Sequence, residues 1–377
     1  EMKKFLAFFL IFALLFVTVP VVCATEGETE LQYDFIDGNG KQHRYYYIDN
    51  GDGTCRFHSY LGSANELSIP KEIMGLTVTS IDDEAFYNKV SLTFVNIPDT
   101  VLVIGLRAFA YCYNLSSVVI GKSVRFINSQ AFQSCTSLTG INVQNVEAIG
   151  HLAFSRCTSM TSFRSQNQLT YIGENAFENC TSLNFIRFSN TLETISASAF
   201  KNCTALTTVT FPDSLTKIGA RAFQNCTGLE TVNFGDGALI IDMYAFENCT
   251  TLTEVTIPQT VVSIGKDAFR FREEDAVSST ATHPVKIICN LGSAGVAYGV
   301  ASGAPTYIIE LDREVIFGDI DGNGQITLDD AIKALRIVSG VEPPLAEEEV
   351  FYCDINNNGI LDLNDARAIL KREVNIA

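Results

Sequence analysis

The dipeptide Ala-Phe begins at positions 85, 108, 131, 153, 176, 199, 222, 245 and 268, with intervals of 23 residues broken once by 22. A period this constant, in the roughly 20–29-residue range, confines the chain to a solenoid, because one coil cannot bury its apolar face without a neighbour. Around each dipeptide the same frame returns. Ala176-Phe177-Glu178-Asn179-Cys180-Thr181-Ser182-Leu183 is followed by Phe185-Ile186-Arg187-Phe188, then Leu192 and Ile195. Leu183, Ile186 and Phe188 fall as L-x-x-L-x-L, whose alternating end predicts a short strand with one face inward. The Ala-Phe segment, for instance Glu174 to Asn179, predicts a short helical turn, with the glycines after Ile149, Ile172, Ile218 and Ile264 where the chain turns toward it.

Seven cysteines stand four residues after the alanine, at 112, 135, 157, 180, 203, 226 and 249. A single column with one period fits a buried small residue per coil. A metal thiolate site would need ligands converging from several directions. Asn-Cys-Thr at 179, 202, 225 and 248 matches a glycosylation sequon, but it belongs to the repeat and is incidental to it.

This frame, over about residues 70–272, resembles the BspA-type leucine-rich repeats of bacterial surface and secreted proteins. The resemblance implies a right-handed solenoid that binds rather than catalyses. The residues flanking the central apolar one of each strand point outward and form a hydroxyl- and amide-rich ladder, as in Thr208/Thr210 and Thr231/Asn233. Threonine is common on any solvated sheet surface. The ladder changes in the middle of the stack, where Arg164 and Arg187 are neighbours in adjacent coils beside Phe185. Two arginines with an aromatic are candidates for contact with a partner.

Composition limits the partners. With 26 basic against 43 acidic residues the net charge is −17, which excludes the basic stripe that nucleic acid requires. A hydrophobic share of 47% with 18% charged excludes disorder. Met2-Lys3-Lys4, an apolar run from Phe5 to Val22 and the small-residue end Val22-Cys23-Ala24 predict a secretory leader cleaved after Ala24. The alternative is an uncleaved anchor, since the run approaches the roughly 20 residues that span a bilayer. Cleavage leaves a secreted protein with no membrane contact.

The two ends of the stack predict caps. Residues 25–80 carry Tyr45-Tyr46-Tyr47 and two turn signals, Asp37-Gly38-Asn39-Gly40 and Asn50-Gly51-Asp52-Gly53, which read as hairpins. Both turns resemble calcium loops, but neither has a carboxylate at its twelfth position. The solenoid spans 81–272, and 273–315 predict a small helix and strand followed by a short linker.

Residues 316–377 carry the strongest chemistry. From Asp319 to Asp330 runs a twelve-residue loop with side-chain oxygens on Asp319, Asp321, Asn323, Thr327 and Asp330, a glycine at 322 and the Gln325 carbonyl to add. The pattern returns 35 residues later as Asp354, Asn356, Asn358, Ile360, Asp362 and Asp365. Calcium takes six to eight oxygens, and the glycine permits the sharp turn between them. Each loop is followed by an amphipathic helix, so two Ca2+ ions are expected. This duplicated loop–helix segment resembles a type I dockerin, a small all-α module. The resemblance implies calcium-dependent docking onto the cohesin of a cellulosome scaffold. It also implies contacts from Leu328, Asp329 and Arg336, and from Leu363, Asn364, Lys371 and Arg372. The family's usual Ser-Thr pair is absent at these contact positions.

The expected fold class is therefore α+β: a β-rich leucine-rich-repeat solenoid followed by a small all-α calcium module. The expected function is a secreted, non-catalytic component held at the cell surface through a scaffold, whose repeat face binds a protein or glycan. Two alternatives stand beside it: an adhesin whose calcium module is only structural, and a polysaccharide-degrading enzyme. The sequence has no nucleophile–base pairing, zinc pattern or phosphate loop. Only carboxylates meeting in space would supply the last alternative.

Overall fold

The computed structural model describes residues 29–36, 42–237, 239–270, 285–290, 293–302, 304, 306–308, 313–315, 318–320, 325–342, 353–355 and 360–373. The leader, the Asp37–Gly40 turn, and Asp321, Asn323, Asn356 and Asn358 lie outside the described residues. The repeats wind into a β-solenoid of about ten turns with few helices, and each coil has three sides.

The first side is the predicted strand. Gly140–Val143, Ser162–Ser165 and Phe185–Arg187 pair in parallel, one coil apart. Equivalent strands from Glu66–Ser68 to Glu254–Ile257 lie along the same side in shorter ladders. Alternation puts Val209 and Val232 in the core and their flanking residues in solvent.

The spacing does not predict the second side. Two-residue strands ending on isoleucine, from Val103–Ile104 to Ser263–Ile264, pair in parallel within a thirteen-stranded sheet. Ile104, Ile127, Ile149, Ile172, Ile195, Ile218, Ile241 and Ile264 stand in register, one per coil. Glycine follows five of these isoleucines, and at Gly173 the approach is close enough to require it: a Cβ there would lie 2.6 Å from the carbonyl carbon of Gly150.

The third side corrects an expectation. No helical turn forms around Ala-Phe in the described coils; the segment is a stack of turns. A helix would satisfy its N–H groups within one coil. Here alternate N–H groups donate to the next coil instead, as Gln130 to His151, Phe132 to Ala153 and Ser134 to Ser155, at 2.7–2.8 Å. The residues between bond back three positions within their own turn, such as Ala131 to Asn128 and Gln133 to Gln130. Aiming the chain this way requires left-handed backbone just before the alanine and three residues after it. Leu152 (φ 56), Arg156 (φ 62), Asn175 (φ 54) and Asn179 (φ 63) are examples, and none is glycine.

The core is columnar. From Phe86 to Phe269, successive phenylalanine rings stack with centroids 4.8–5.3 Å apart. Beside them runs the cysteine column, free and buried. Each of its seven thiols donates to the carbonyl of the phenylalanine one coil back, at 3.1–3.3 Å. A thiol is small enough for the slot and supplies a weak donor that alanine would lack. Burial pushes the thiols of Cys112, Cys180 and Cys226 up to about 12.

Both ends are closed by aromatics. Glu30–Ile36, Gln42–Asp49 and Thr54–Tyr60 form antiparallel hairpins, and the third strand joins the large sheet. In the Asn50–Gly53 turn Asp49 accepts from the Gly51 N–H and Asp52 from the Thr54 N–H, so these carboxylates hold the hairpin. Tyr60 and Phe57 cover the first ring, Phe86. At the far end Lys286–Cys289 extends the first side and the helix Ala294–Ser302 covers the last coil. There the Tyr298 hydroxyl accepts from the Phe269 N–H at 3.0 Å, and burial pushes that hydroxyl up to about 12. Among the described residues no helix is long and apolar enough to cross a membrane.

Candidate functional site

Two places gather side chains that the stack itself does not use. The first is the outward face of the strand side. Parallel register sets Asn142 beside Arg164 and Arg164 beside Arg187, and sets Ser162 beside Phe185. The Arg164 guanidinium lies 4.9 Å from the centroid of the exposed Phe185 ring, a cation–π distance. The three partner residues expected from the sequence are thus brought together.

The sequence reading missed the hollow that they border. A cavity of about 500 Å3 is lined by Asn142, Arg164, Gln166, Asn167, Arg187 and Asn190, with Ser165 and Phe188 on its core side. None of its lining side chains is acidic. A second hollow of about 390 Å3 shares Arg187, Phe188 and Asn190 with it and continues toward Thr210 and Asp213. Buried hydroxyls hold the strand ends that carry the amides. Ser165 Oγ donates to the Arg187 carbonyl at 3.3 Å and accepts from the Ser189 N–H at 2.9 Å; Ser189 Oγ donates to the Leu169 carbonyl at 2.7 Å. The available signal was the run Ser165-Gln166-Asn167-Gln168, which replaces the apolar strand end found in other coils.

The second place is the C-terminal loop–helix pair. The helices Leu328–Val338 and Leu363–Glu373 pack on each other around Ile320, Ala331, Ala334, Cys353, Ala366 and Ile369. Ile355 touches both this cluster and the solenoid core. The two halves repeat one device. Asp330 accepts from the Thr327 N–H at 2.7 Å and, through its other oxygen, from the Ile320 N–H at 2.7 Å. Asp365 accepts from the Asp362 N–H at 2.8 Å. Both carboxylates are fully buried and Asp354 nearly so. Lys333, which the sequence reading passed over, donates to the Ile320 carbonyl at 2.9 Å.

Of the expected ligands, Asp319, Thr327 and Asp362 are half-buried, while Gln325 and Ile360 would offer main-chain carbonyls from exposed residues. The donor set is oxygen throughout, which suits a hard cation. Buried carboxylates are costly unless positive charge or hydrogen bonds offset them, and two stand at equivalent places here. Among the expected contact residues Leu328, Asp329, Leu363, Asn364 and Lys371 are exposed, and Arg336 is exposed beside Glu342 at 3.4 Å. The side chain of Arg372 lies outside the described residues. Ile332 and Leu335, four and seven residues after Leu328, are exposed as well and extend its apolar stripe.

The chain matches the model of the BspA type leucine rich repeat region over residues 79–205 and 172–282, in six copies. No curated protein matches it. Among solved structures it is similar to a leucine-rich repeat protein from Bacteroides ovatus ATCC 8483, with 26% identity over 68% of this chain and 65% of that one, at a TM-score of 0.55. The chain thus spans less than two thirds of that protein. Two others are similar at lower TM-scores. The T. pallidum leucine rich repeat protein shows 24% identity over 57% of this chain and 89% of that one, at 0.42. A leucine rich cell surface protein from Faecalibacterium prausnitzii A2-165 shows 25% identity over 68% and 88%, at 0.30.

Proposed function

Since the chain belongs to the BspA-type leucine-rich repeat proteins, a binding rather than a catalytic fold, we propose that it is a secreted, non-catalytic binding protein with a calcium-dependent docking module at its C-terminus. In this reading residues 316–377 are a dockerin holding two Ca2+ ions, and a cohesin of a cellulosome scaffold is its partner. The solenoid presents its strand face to a protein or glycan at the cell surface.

The observation that carries the docking half is the repeated device: two helices packed on one small core, each with a buried aspartate that takes N–H bonds from its own loop. Calcium at each loop would supply the positive charge that such buried carboxylates call for. Asp319, Asp321, Asn323, Thr327 and Asp330 would hold one ion with the Gln325 carbonyl. Asp354, Asn356, Asn358, Asp362 and Asp365 would hold the other with the Ile360 carbonyl. The exposed stripe of Leu328, Ile332 and Leu335, with Leu363 on the second helix, offers an apolar contact of the kind that fills the centre of an interface.

The test is capture from spent culture medium with the full chain as bait, with calcium and with EDTA, read by mass spectrometry. A cohesin-bearing scaffold recovered with calcium and lost with EDTA, and lost also from the Asp330→Asn, Asp365→Asn double variant, is the expected result. Absence of any such scaffold in both lanes overturns the docking half and leaves an adhesin with a structural calcium module.

A further inference from the structure

Arg164 and Arg187 stand directly opposite each other in a parallel ladder, where neighbouring strands lie about 4.8 Å apart. Like charges in that position repel. Six arginines, Arg44, Arg56, Arg107, Arg125, Arg270 and Arg336, each face a carboxylate, while Arg156, Arg221 and Arg367 have no ion pair among the described residues but do not stand opposite a second arginine in a strand ladder. Arg164 and Arg187 have no ion pair among the described residues, although the chain as a whole is strongly acidic. They open instead on the hollow of about 500 Å3, whose remaining polar lining is amide and hydroxyl.

We propose that this hollow binds a short carboxylated glycan, with a uronate carboxylate held by the Arg164–Arg187 pair and sugar hydroxyls held by Asn142, Gln166, Asn167 and Asn190. The inference rests on the reading of the strand face as a binding surface and is independent of the calcium module. A guanidinium is a planar fork of donors that matches a carboxylate, and two of them neutralise their repulsion on one anion. Side-chain amides donate and accept at once, as ring hydroxyls demand. The volume lies within the usual range of small-ligand sites, roughly 300–1,000 Å3. A protein partner would instead be expected to bury an apolar centre, and the one ring that lines the hollow, Phe188, is 8% exposed, while the exposed Phe185 lies against Arg164 outside that lining. Asp213 at the far end of the adjoining hollow disfavours a long polyanion running up the stack, so a ligand of a few sugar units fits.

The test is calorimetric titration of the full calcium-loaded chain with trigalacturonate, with galactotriose as the uncharged sugar and triglutamate as the acid without a sugar. Trigalacturonate alone is expected to bind. Arg164→Gln or Arg187→Gln should each weaken it about tenfold to a hundredfold, and the double variant should abolish binding. Arg221→Gln, whose arginine lies over Tyr244 away from the hollow, should leave it unchanged. No binding of trigalacturonate, equal binding of triglutamate, or a double variant that binds like the wild type would each overturn the proposal. Calcium-dependent scaffold capture measured on the same double variant separates this outcome from failure of the docking reading.

Discussion

The phenylalanine column predicts that the cost of removing a ring depends on where it stands in the stack. Phe177 is fully buried and has three rings around it: Phe154 at 5.1 Å, Phe200 at 5.0 Å and Phe163 at 4.7 Å. Truncating a buried phenylalanine costs about 3–5 kcal/mol, and each aromatic pair adds roughly 0.5–1.5 kcal/mol beyond burial. With three pairs lost and rigid backbone ladders on all three sides resisting collapse, Phe177→Ala belongs at the upper end, about 5 kcal/mol. Among the described residues Phe269 has Phe246 at 5.2 Å and the edge of Tyr298 at 5.6 Å as its ring neighbours, and a helix covers the coil beyond. Phe269→Ala belongs at the lower end, about 3 kcal/mol. Urea unfolding followed by far-ultraviolet circular dichroism measures both, with an unchanged m-value required for the comparison. Equal costs at the two positions, or a cost below about 1 kcal/mol at Phe177, would refute the idea that ring stacking couples the coils. A markedly smaller m-value for Phe177→Ala would show that the stack melts in separate halves, which refutes its cooperativity instead.

Two further perturbations follow from the backbone and from a buried charge. Leu152 is held at φ 56, a region that costs a residue with a Cβ about 1–2 kcal/mol and asparagine less, so Leu152→Asn should raise stability by about 0.5–1 kcal/mol in the same unfolding assay. A loss on that substitution would mean that Leu152 packing outweighs its strain. His58 lies 3.1 Å from the buried Asp82 and 3.6 Å from Glu30, with Arg56 on the other Asp82 oxygen. Its hydrogen bond to Asp82 raises the imidazole above its ordinary value. A raised folded value means that this contribution is fully present below about pH 6.5 and fades as pH rises through the folded value. Wild type should therefore lose stability relative to His58→Gln between pH 5.5 and 8.5, by less than about 1 kcal/mol because the ring is partly exposed. Parallel curves for the two proteins would exclude the pair as a source of pH dependence.

The period of the coils, the buried cysteine column at Cys180 and its equivalents, and the outward pair Arg164/Arg187 were legible because each is a matter of spacing. What spacing could not reveal is how the backbone groups between those positions are satisfied. Two residues such as Phe126-Ile127 give too little alternation to announce a strand, yet their neighbours above and below make them one. The Ala-Phe segment has a helix-like composition, and only the demand that its N–H groups reach the next coil turns it into stacked turns. The repeated Asn-Cys-Thr acquires a cause in the same way. Asparagine tolerates the left-handed region, and its amide completes a side-chain ladder: Asn202 donates to Asn179, Asn225 to Asn202 and Asn248 to Asn225, at 2.8–3.0 Å. A glycan on that nitrogen would break the ladder. The hollow beside Arg187 was invisible because it depends on strand ends from neighbouring coils meeting in space.

The ladders also explain why variation in this chain concentrates where it does. Phenylalanine, cysteine and isoleucine each occupy a slot whose neighbour one coil away is the same residue, so a change there is felt in three coils at once. The turn side is constrained by its backbone and the isoleucine side by its register. The strand side has two positions per coil that face solvent, those flanking the buried valine of Thr208–Thr210 or Thr231–Asn233, and the bond between them, Asn233 to Thr210 at 3.2 Å, lies on the surface. Substitutions there cost the fold little, since exposed strand positions differ by about 1 kcal/mol across all residues. A binding surface can therefore change coil by coil without disturbing the stack. The break from threonine to arginine at Arg164 and Arg187, set where Ser165 replaces an apolar strand end and bonds through its hydroxyl to the Ser189 N–H of the next coil, marks the coils in which that freedom has been used.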